Sequence, residues 1–504
     1  MMDRRTFLSL LAAASAFATA RAEDKPAPKV GLGPAQPFDP TVPVSIARDL
    51  ASRDFVEPAL VPQEWRDLTY DQYRNILFDP RSAIGSGESF EVELFAPGLY
   101  FTHGVELFAV EDGAARPIKW SKGSFTFTDQ VPDLPESDAL GYSGFRLRHA
   151  INKPDLMQEF AVFQGASYFR AVGRNQLYGL SARGLAIGTA SNAGEEFPFF
   201  RSFWMERRED DVVLHAVLDS QSVAGAYRFV IEPGEDTIMD VTATLFPRKP
   251  IEEIGIAPLT SMFLYDGTNR TRFPDFRPAV HDSDGLLIVN GAGEHLWRKL
   301  ANPKELQVSS FVDASPRGFG LMQRQRRLDD FADLEARYER RPSLWVEPEG
   351  DWGDGAIVLV EIPSEKEIYD NVVAFWRPRA PVSEPVRMTY RLHWGNDPDV
   401  VSTKARVIDT RMGENPFGED GSVHVAIDFA EHQSIPKDLS TVTLHTSSNA
   451  VAVTEGRVKR NPETKGVRLD FSFRPNDLAS AELRAQMLLD GAPISEVWMY
   501  RWTR

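Results

Sequence analysis

Alternation of apolar and polar residues is the feature that most constrains the fold of this chain. The segment 90–94 reads Phe-Glu-Val-Glu-Leu, the period of two that is typical of a strand buried on one face. Turn-forming pairs recur along the chain, among them Asp112-Gly113, Pro233-Gly234 and Asp266-Gly267. Many short strands joined by turns predict an all-β protein built on a large β-sandwich. Two short helices are predicted near the start, over 46–53 and 70–76.

A second, smaller domain is predicted after residue 395. The loop-like segment 395–399 follows a strand over 390–394, and cleanly alternating segments come later at 423–429 and 467–473. About 100 residues of short strands are typical of an immunoglobulin-like β-sandwich. The predicted organisation is a large β-sandwich domain over 38–395, a linker over 396–403 and an immunoglobulin-like domain over 404–504. A loose segment rich in Pro and Lys is predicted over 23–37.

The first 22 residues are predicted to be an export signal. Arg4 and Arg5 precede an apolar stretch over 8–17, and small residues at 18, 20 and 22 provide cleavage sites. A charged start, a short apolar run and small residues describe a signal peptide, and the run is too short to span a bilayer. The string Asp-Arg-Arg-Thr-Phe-Leu at 3–8 is similar to a twin-arginine signal. An ordinary signal that carries two arginines is the alternative.

Charge and cysteine content exclude several classes of protein. The 504 residues carry a net charge of −17, which argues against a nucleic acid partner because phosphate backbones attract basic surfaces. The sequence has no cysteine, so disulfides, thiolate nucleophiles and cysteine-ligated zinc are excluded. An uncharged polymer is a compatible partner, since the acidity then serves mainly solubility. The length predicts two or more domains.

Motif searches leave paired carboxylates as the best chemical signal. The sequence has no phosphate-binding glycine loop, Rossmann fingerprint, His-Glu-x-x-His or Gly-x-Ser-x-Gly string, and no cofactor is predicted. Cleavage of a glycosidic bond needs one carboxyl group to protonate the leaving oxygen and another to activate water or attack. One stretch combines such groups with aromatic rings that could stack on sugars: Asp282, Asp284, Glu347, Asp351, Glu367 and Asp370, with Trp297, Trp345, Trp352 and Trp376. The alternative is that the tryptophans are core residues and the acids are turn residues.

The string His281-Asp282-Ser283-Asp284 has two further interpretations. One imidazole and two carboxylates could ligate a hard metal ion. The same residues could form a polar turn whose side chains bond to the backbone. No metal site is predicted, because further ligands would have to come from elsewhere.

Several long strings resemble the glucan biosynthesis protein G and D family, the periplasmic proteins of osmoregulated periplasmic glucan synthesis. The strings run in order from about residue 38 to the C-terminus and include 166–173, 178–186, 194–198, 257–263, 280–286, 316–321, 341–348 and 370–376. The twin-arginine-like start favours the D branch. The resemblance implies a large β-sandwich with a long cleft, a smaller immunoglobulin-like domain, a periplasmic location and cleavage of β-1,2-glucan with inversion.

The resemblance also implies which residues act. Asp370 matches a catalytic aspartate of the family and is assigned as general acid, and Asp282 matches the other and is assigned as general base working through a water; the roles could be exchanged. Tyr338 matches a tyrosine near the reacting sugar, and Arg341 and Glu367 match positions in or near a loop that closes the cleft. The predicted substrate-binding set also contains Trp345, Trp352, Trp376, Asp284 and His281.

Two functional hypotheses follow from the resemblance. The first is an endo-acting β-1,2-glucan hydrolase or transglycosylase. The second is a glucan-binding scaffold that guides nascent glucan from the inner-membrane glucosyltransferase, which would then be a second partner. The oligomeric state stays open, with a homodimer as one alternative.

Overall fold

The structure is a computed structural model that describes residues 30–137, 140–397, 403–416, 418 and 421–504. The predicted signal peptide over 1–22 lies outside the described residues, as does the first part of the segment predicted to be loose. The described part of that segment is paired with the strand that follows residue 113. Leu32 forms a bridge with Ile118, and Gln36 pairs with Ala115.

The all-β prediction is confirmed, because strands account for most of the regular structure. The helices are α1 (Thr41–Ala51), α2 (Gln63–Arg66), α3 (Tyr70–Tyr73) and α4 (Leu328–Phe331), with 3₁₀ turns at Pro80–Ser82, Lys122–Ser124, Arg270–Arg272, Tyr338–Arg340 and Leu439–Thr441. The strands of the first half are β1 (Gln36–Pro37), β2 (Ile76–Phe78), β3 (Glu91–Phe95), β4 (Glu106–Glu111), β5 (Ala114–Pro117), β6 (Phe125–Phe127), β7 (Gly144–Lys153), β8 (Leu156–Gln164), β9 (Tyr168–Ala171), β10 (Ser181–Arg183), β11 (Leu185–Ile187), β12 (Phe199–Arg207), β13 (Val212–Asp219), β14 (Val223–Glu232), β15 (Thr237–Pro247) and β16 (Ile254–Ser261). Those of the second half are β17 (Phe263–Tyr265), β18 (Val280–His281), β19 (Gly285–Val289), β20 (His295–Lys299), β21 (Gln307–Ala314), β22 (Gly318–Met322), β23 (Ser343–Glu349), β24 (Asp354–Glu361), β25 (Val372–Pro378), β26 (Val386–Gly395), β27 (Val407–Glu414), β28 (Val423–Phe429), β29 (Val442–Ser448), β30 (Arg457–Arg460), β31 (Val467–Phe473), β32 (Ser480–Leu489), β33 (Ala492–Pro493) and β34 (Val497–Thr503).

Both predicted helices exist, with different bounds. The first begins at Thr41 rather than Ile46, because Pro43 lies in its first turn, where a missing N–H costs no helical hydrogen bond. The second ends at Tyr73. It begins after a capping box in which Thr69 and Gln72 bond reciprocally.

The chain divides into two compact units by its internal contacts, which we call unit 1 (1–258 and 375–394) and unit 2 (259–374 and 395–504). Each unit is described by itself. The domain boundaries predicted from the sequence, at 395 and 404, stay a prediction about how the chain folds.

Unit 1 is a sandwich of two sheets. One sheet has the order β1-β5-β4-β12-β13-β14-β15-β26, and the other contains β10-β9-β8-β7-β3. Phenylalanines close the space between them: Phe145 and Phe163 of the second sheet lie 5.0 and 5.7 Å, edge to face, from Phe203 of the first. Such aromatic pairs add about 0.5–1.5 kcal/mol beyond the area they bury. Helix α1 covers the outer face of the first sheet and buries Ala47 and Leu50.

Unit 2 is also built from two packed sheets. The larger has the order β23-β22-β19-β20-β34-β32-β29, and the smaller the order β27-β28-β31-β30. One apolar core joins them, since Trp297 and Trp345 share it with Ile427 and Phe471. The alternation predicted over 423–429 and 467–473 appears as β28 and β31, which pair antiparallel.

Candidate active site

A three-residue segment between β18 and β19 carries Asp282 and Asp284, and each residue of it is fixed by a different neighbour. The Asp282 N–H donates to the Met262 carbonyl at 2.8 Å, and the Asp284 N–H donates to the Met322 carbonyl at 2.8 Å. The Ser283 hydroxyl lies 2.8 Å from that of Ser261. Because the backbone is held on three sides, the directions of both carboxylates are set by the fold.

Asp282 is paired with Arg341. Arg341 Nη1 donates a hydrogen bond to Asp282 Oδ1, and the Asp282 side chain is 6% exposed. Burial opposes the charge of Arg341, but the negative charge of Asp282, and after it Tyr338 and Asp370, raise the pKa of the guanidinium above its usual value. A carboxylate bonded to a permanent cation is held in its ionised form.

Tyr338 lies under the same guanidinium. The Arg341 Cζ is 4.3 Å from the centre of the Tyr338 ring, a distance at which a cation is attracted to the ring face. Burial is the largest cause that raises the pKa of Tyr338, and the charge of Arg341 opposes it. The phenol therefore stays protonated and can donate a hydrogen bond.

Asp370 precedes β25, and its backbone position is fixed by the next residue. The Asn371 N–H donates to the Ser261 carbonyl at 3.0 Å, and its side chain accepts from the Phe263 N–H at 2.8 Å and donates to the Phe263 carbonyl at 2.9 Å. Asn371 is 2% exposed, whereas Asp370 is partly exposed. Asp370 is one of the charges that raise the pKa of Arg341, whereas Asp282 bonds to that arginine directly.

We call Asp282, Tyr338, Arg341 and Asp370 the Arg341 cluster. It joins segments that are far apart in the chain: the loop before β19, the 3₁₀ turn after α4, and the loop before β25. The cluster combines an ion-paired aspartate, a protonated phenol and a second, partly exposed aspartate. These are the groups needed for acid–base catalysis with hydrogen bonding to a polyhydroxyl substrate.

Glu367 is held by an arginine that sequence reasoning did not single out. Arg277 Nη2 lies 2.6 Å from Glu367 Oε2 and 2.8 Å from Asp275, and Arg277 Nη1 lies 2.7 Å from Asp333. One guanidinium therefore ties together three loops, one of which leads to Asp370. Arg277 stands in one of the strings that resemble the family, between Phe276 and Pro278, which was the available signal.

His281 lies in the interior, between Gln323 and Phe263. It is fully buried, its Nδ1 lies 2.9 Å from Gln323 Oε1, and its ring stacks on Phe263 at 5.4 Å. Burial is the main cause that lowers the pKa of His281 to about 3. The imidazole is thus neutral and packed in the interior, and its place in the predicted substrate-binding set stays a prediction.

Asp284 belongs to a second, buried group of charges. Burial raises the pKa of Asp284 to about 6, against the opposing charges of Lys299 and Arg324. Its Oδ2 accepts from the Arg324 N–H at 3.2 Å. Asp284 is 4% exposed, and its place in the predicted substrate-binding set stays a prediction.

Arg324 is the centre of that second group. It makes two hydrogen bonds to Glu496, at 2.7 and 2.8 Å, and one to Asp397 at 3.0 Å. Its Cζ lies 3.8 Å from the centre of the Trp297 ring. We call Arg324, Asp284, Asp397, Glu496 and Trp297 the Arg324 cluster. Sequence reasoning missed Arg324, Asp397 and Glu496, because Glu496 is 172 residues away from Arg324.

The three tryptophans predicted to bind sugar are buried. Trp345 is 1% exposed and lies against Gly318, where a methyl group would come within 2.1 Å of the ring. Trp376 is fully buried and belongs to unit 1, and Trp352 is 6% exposed. All three are core residues in the structure, and their stacking on pyranose rings stays a prediction.

Neither a metal centre nor a membrane span is found in the described part of the chain. Over those residues no three or more His, Asp or Glu side chains gather in a way that could hold an ion. No helix there has the length and apolar character needed to cross a membrane.

Comparison with known proteins identifies the class. The family model described as "Periplasmic glucan biosynthesis protein, MdoG" matches residues 38–502. The glucans biosynthesis protein G of Vibrio cholerae is 45% identical over 92% of this chain and 87% of its own length. The protein of the same name from Bradyrhizobium diazoefficiens is 44% identical over 100% of both chains, and that from Shewanella frigidimarina is 46% identical over 94% and 86%.

The match over most of the chain is that of a periplasmic glucan biosynthesis protein. The chain belongs to the MdoG family. The predicted G and D family is therefore confirmed. The relatives above are named protein G, whereas the twin-arginine-like start favours the D branch, and the branch stays a prediction. A solved polysaccharide lyase aligns with TM-score 0.19 and 12% identity over 72% of this chain and 44% of its own, which carries no argument.

Proposed function

We propose that this protein cleaves the backbone of β-1,2-glucan with inversion, with Asp370 as general acid and Asp282 as general base. The observation that carries the proposal is that Arg341 bonds to Asp282 and lies close enough to Asp370 for that carboxylate to help raise the pKa of the guanidinium. The resemblance of 280–286 and 370–376 to the family's catalytic strings supports the same pair.

The roles of the two aspartates are those that the resemblance implies, and the ion pair of Asp282 supports them. Asp282 bonds to Arg341 and is thereby kept ionised, as a base must be. Asp370 is the more exposed of the two, next to the buried Asn371. In the reaction, Asp282 takes a proton from water while the water oxygen bonds to the anomeric carbon. The bond to the glycosidic oxygen breaks as that oxygen receives the proton of Asp370.

The experiment is incubation of the purified mature protein with linear β-1,2-glucan, with product length followed by chromatography and the anomer by NMR. The expected result is shorter chains whose new ends first appear with inverted configuration. Asp370→Asn is expected to reduce the rate by about 10²–10⁴, the usual contribution of a general acid. Unchanged chain length, or an Asp370→Asn variant as active as the parent, would overturn the proposal. Transfer of glucan chains instead of hydrolysis would appear in the same assay as longer or cyclic products.

A scaffold that binds glucan without cleaving it is the second candidate function. It is favoured by the low exposure of Asp282, whose side chain is 6% exposed and already occupied by Arg341. Such a scaffold would receive nascent glucan from the inner-membrane glucosyltransferase. Glucan binding by the Asp370→Asn variant, together with normal glucan production in cells that carry it, is the outcome that would support this candidate.

Export through the twin-arginine pathway is also part of the proposal. It is supported by Arg4 and Arg5 before the apolar stretch over 8–17. Replacement of both arginines by lysine is expected to leave precursor in the cytoplasm, whereas a Sec substrate would still be exported.

A further inference from the structure

Arg277 holds three carboxylates that belong to three segments of unit 2. Its guanidinium lies 2.8 Å from Asp275, 2.7 Å from Asp333 and 2.6 Å from Glu367. The Arg277 side chain is 14% exposed and that of Asp333 is 6% exposed, so water and salt screen this pair less than a pair at the surface. Three acids gathered around one cation would repel one another if the cation were removed. Arg277 is therefore placed to hold the three segments together.

The contact with Asp275 fixes the direction of the Arg277 guanidinium. Arg277 donates to that carboxylate from its backbone N–H at 3.0 Å, from Nε at 3.1 Å and from Nη2 at 2.8 Å. The side-chain hydrogen bond from Arg277 is the main cause that lowers the pKa of Asp275 to about 2. Because the two residues belong to one loop, this contact is local. It leaves a guanidinium of fixed orientation whose Nη1 and Nη2 reach the other two segments.

Asp333 leads from Arg277 to the segment that carries the central arginine of the site. Its Oδ1 accepts from the N–H groups two and three residues further on, at 3.0 and 2.7 Å, while its Oδ2 accepts from Arg277 Nη1. The carbonyl of Ala336 in turn accepts from Arg341 Nη2 at 3.3 Å. A chain of hydrogen bonds therefore runs from Arg277 to the arginine that pairs with Asp282.

The backbone around Asp333 needs support from its surroundings. Ala332 and Arg337 have φ angles of +55° and +48°, a left-handed conformation that is unfavourable for a residue with a side chain. Arg337 directly precedes the 3₁₀ turn Tyr338–Arg340. Such residues persist where the neighbouring structure holds them in place. The ion pair of Asp333 with Arg277 acts between these two positions.

Glu367 extends the arrangement to the loop that leads to Asp370. Burial is the largest cause that raises the pKa of Tyr338, and nearby charges act on it as well. After the partners within the Arg341 cluster, these charges include Glu367, which raises the pKa, and Arg277, which lowers it. The ion pair between Arg277 and Glu367 therefore lies close enough to the Arg341 cluster for its charges to act there.

We propose that Arg277 is a positioning residue, which holds the loop of Glu367 and the segment 333–341 in one arrangement and thereby keeps Arg341 against Asp282. Its effect on catalysis rests on the proposed function, whereas the tie between the two segments is measurable without glucan. Arginine suits this role because its planar fork reaches several carboxylates in fixed directions, which the single ammonium group of lysine does not.

The kinetic test compares Arg277→Gln with the parent in glucan cleavage over a range of pH. We expect kcat/KM to fall by about 10–100-fold, since a displacement of about 1 Å at a catalytic group costs a factor of up to this size. Because Arg341 is then held less firmly, Asp282 accepts a proton more easily, and the acid limb of the pH profile is expected to move to higher pH. A residue that only stabilised the fold would lower the rate without moving this limb, and that result would overturn the inference.

The structural test is hydrogen exchange of the free protein, followed by mass spectrometry. Arg277→Gln is expected to speed exchange in 333–341 and in 364–370, while β31 exchanges as in the parent. Unchanged exchange in both segments would overturn the inference. Failure of the proposed function would look different: the parent would leave glucan uncleaved, while exchange in both segments would still increase in the variant.

Two further variants complete the design. Arg270→Gln is the matched control, because Arg270 is an exposed arginine of the same loop whose guanidinium lies 3.5 Å from the carbonyls of Asp275 and Phe276. It is expected to match the parent in both tests. Arg277→Lys serves if the glutamine variant does not fold, since it keeps the charge and loses the fork; we expect a loss of about tenfold or less, with the acid limb moved in the same direction. An Arg277→Lys variant that matched the parent in both tests would overturn the inference.

Discussion

Two arginine-centred clusters of unit 2 use the same side chains in different surroundings. In the Arg341 cluster the arginine is 14% exposed, lies over a tyrosine, and has its pKa raised in part by Asp370, a partly exposed residue. In the Arg324 cluster the arginine is 2% exposed, lies over a tryptophan and bonds to carboxylates that are at most 5% exposed. The comparison teaches that exposure, rather than composition, separates a cluster suited to chemistry from one suited to holding the fold.

The strongest test of this difference is removal of the carboxylate from the Arg341 cluster. Asp282→Asn keeps the shape of the side chain but removes the base, so we expect glucan cleavage to fall by about 10²–10⁴. The rate of formation of new reducing ends is the measurement. Asp351→Asn is the control, because Asp351 is an exposed turn residue of the same unit. If the Asp282→Asn variant kept most of its activity, the Arg341 cluster would be no more involved in the chemistry than the Arg324 cluster.

The matching test in the Arg324 cluster concerns stability. Glu496→Ala removes the residue that makes two hydrogen bonds to Arg324, so we expect the free energy of unfolding to fall by about 3–5 kcal/mol. Urea denaturation measures this change. The control is Asp329→Ala, which removes an ion pair to Arg327 whose side chains are 76% and 82% exposed, and should cost less than about 1 kcal/mol. Equal losses for both variants would contradict the structural role of the buried cluster.

The pH dependence of stability sharpens the comparison. Burial raises the pKa of Asp284 from 3.8 to about 6, so the folded protein binds the proton more tightly than the unfolded chain does. The penalty of ionising Asp284 is absent below about pH 4, grows as pH rises, and is complete above about pH 6.

Asp284→Asn removes that penalty. We expect the variant to match the parent near pH 4 and to be more stable at pH 7.5 by up to about 3 kcal/mol. Urea denaturation of both proteins at the two pH values is the measurement. A variant less stable than the parent at pH 7.5 would mean that the negative charge of Asp284 is needed to balance Arg324 and Lys299.

The smallest expected effect lies at the edge of the Arg341 cluster. Glu367→Gln weakens the ion pair with Arg277, in which the Glu367 side chain is 35% exposed. A pair of this exposure contributes at most about 1 kcal/mol, so kcat/KM for glucan should fall no more than about fivefold. Glu365→Gln, in the same loop, is the control. A hundredfold loss at Glu367 would instead indicate that this carboxylate takes part in proton transfer.

The sequence predicted the class of fold because period-two alternation has one structural meaning. It placed β28 and β31, and it predicted two early helices, although the proline of α1 concealed where that helix begins. The resemblance to the family selected Asp282, Tyr338, Arg341 and Asp370. In the structure Asp282 bonds to Arg341, Tyr338 lies under its guanidinium, and the charge of Asp370 helps to raise its pKa.

Other parts of the site could not be predicted from the sequence. An indole ring has the same composition in a core as on a sugar-binding surface, so the burial of Trp345 and Trp376 had to come from the fold. The pairing of Arg324 with Glu496 depends on strands 172 residues apart, and no local pattern marks either partner. His281 and Asp284 were selected because they lie close to Asp282 in the sequence, and the structure shows that their side chains are buried.

The hydrogen bonds of Asn371 have a consequence for engineering. Because its main chain and amide group bond to Ser261, Phe263 and Ile362, the position of the adjoining Cα is inherited from the scaffold rather than from the side chain at 370. Other acidic residues can therefore be placed at position 370 on an unaltered backbone. So can a smaller residue that leaves room for an added small carboxylic acid. The backbone at this position thus allows the proposed proton donor to be exchanged without a change in the surrounding fold.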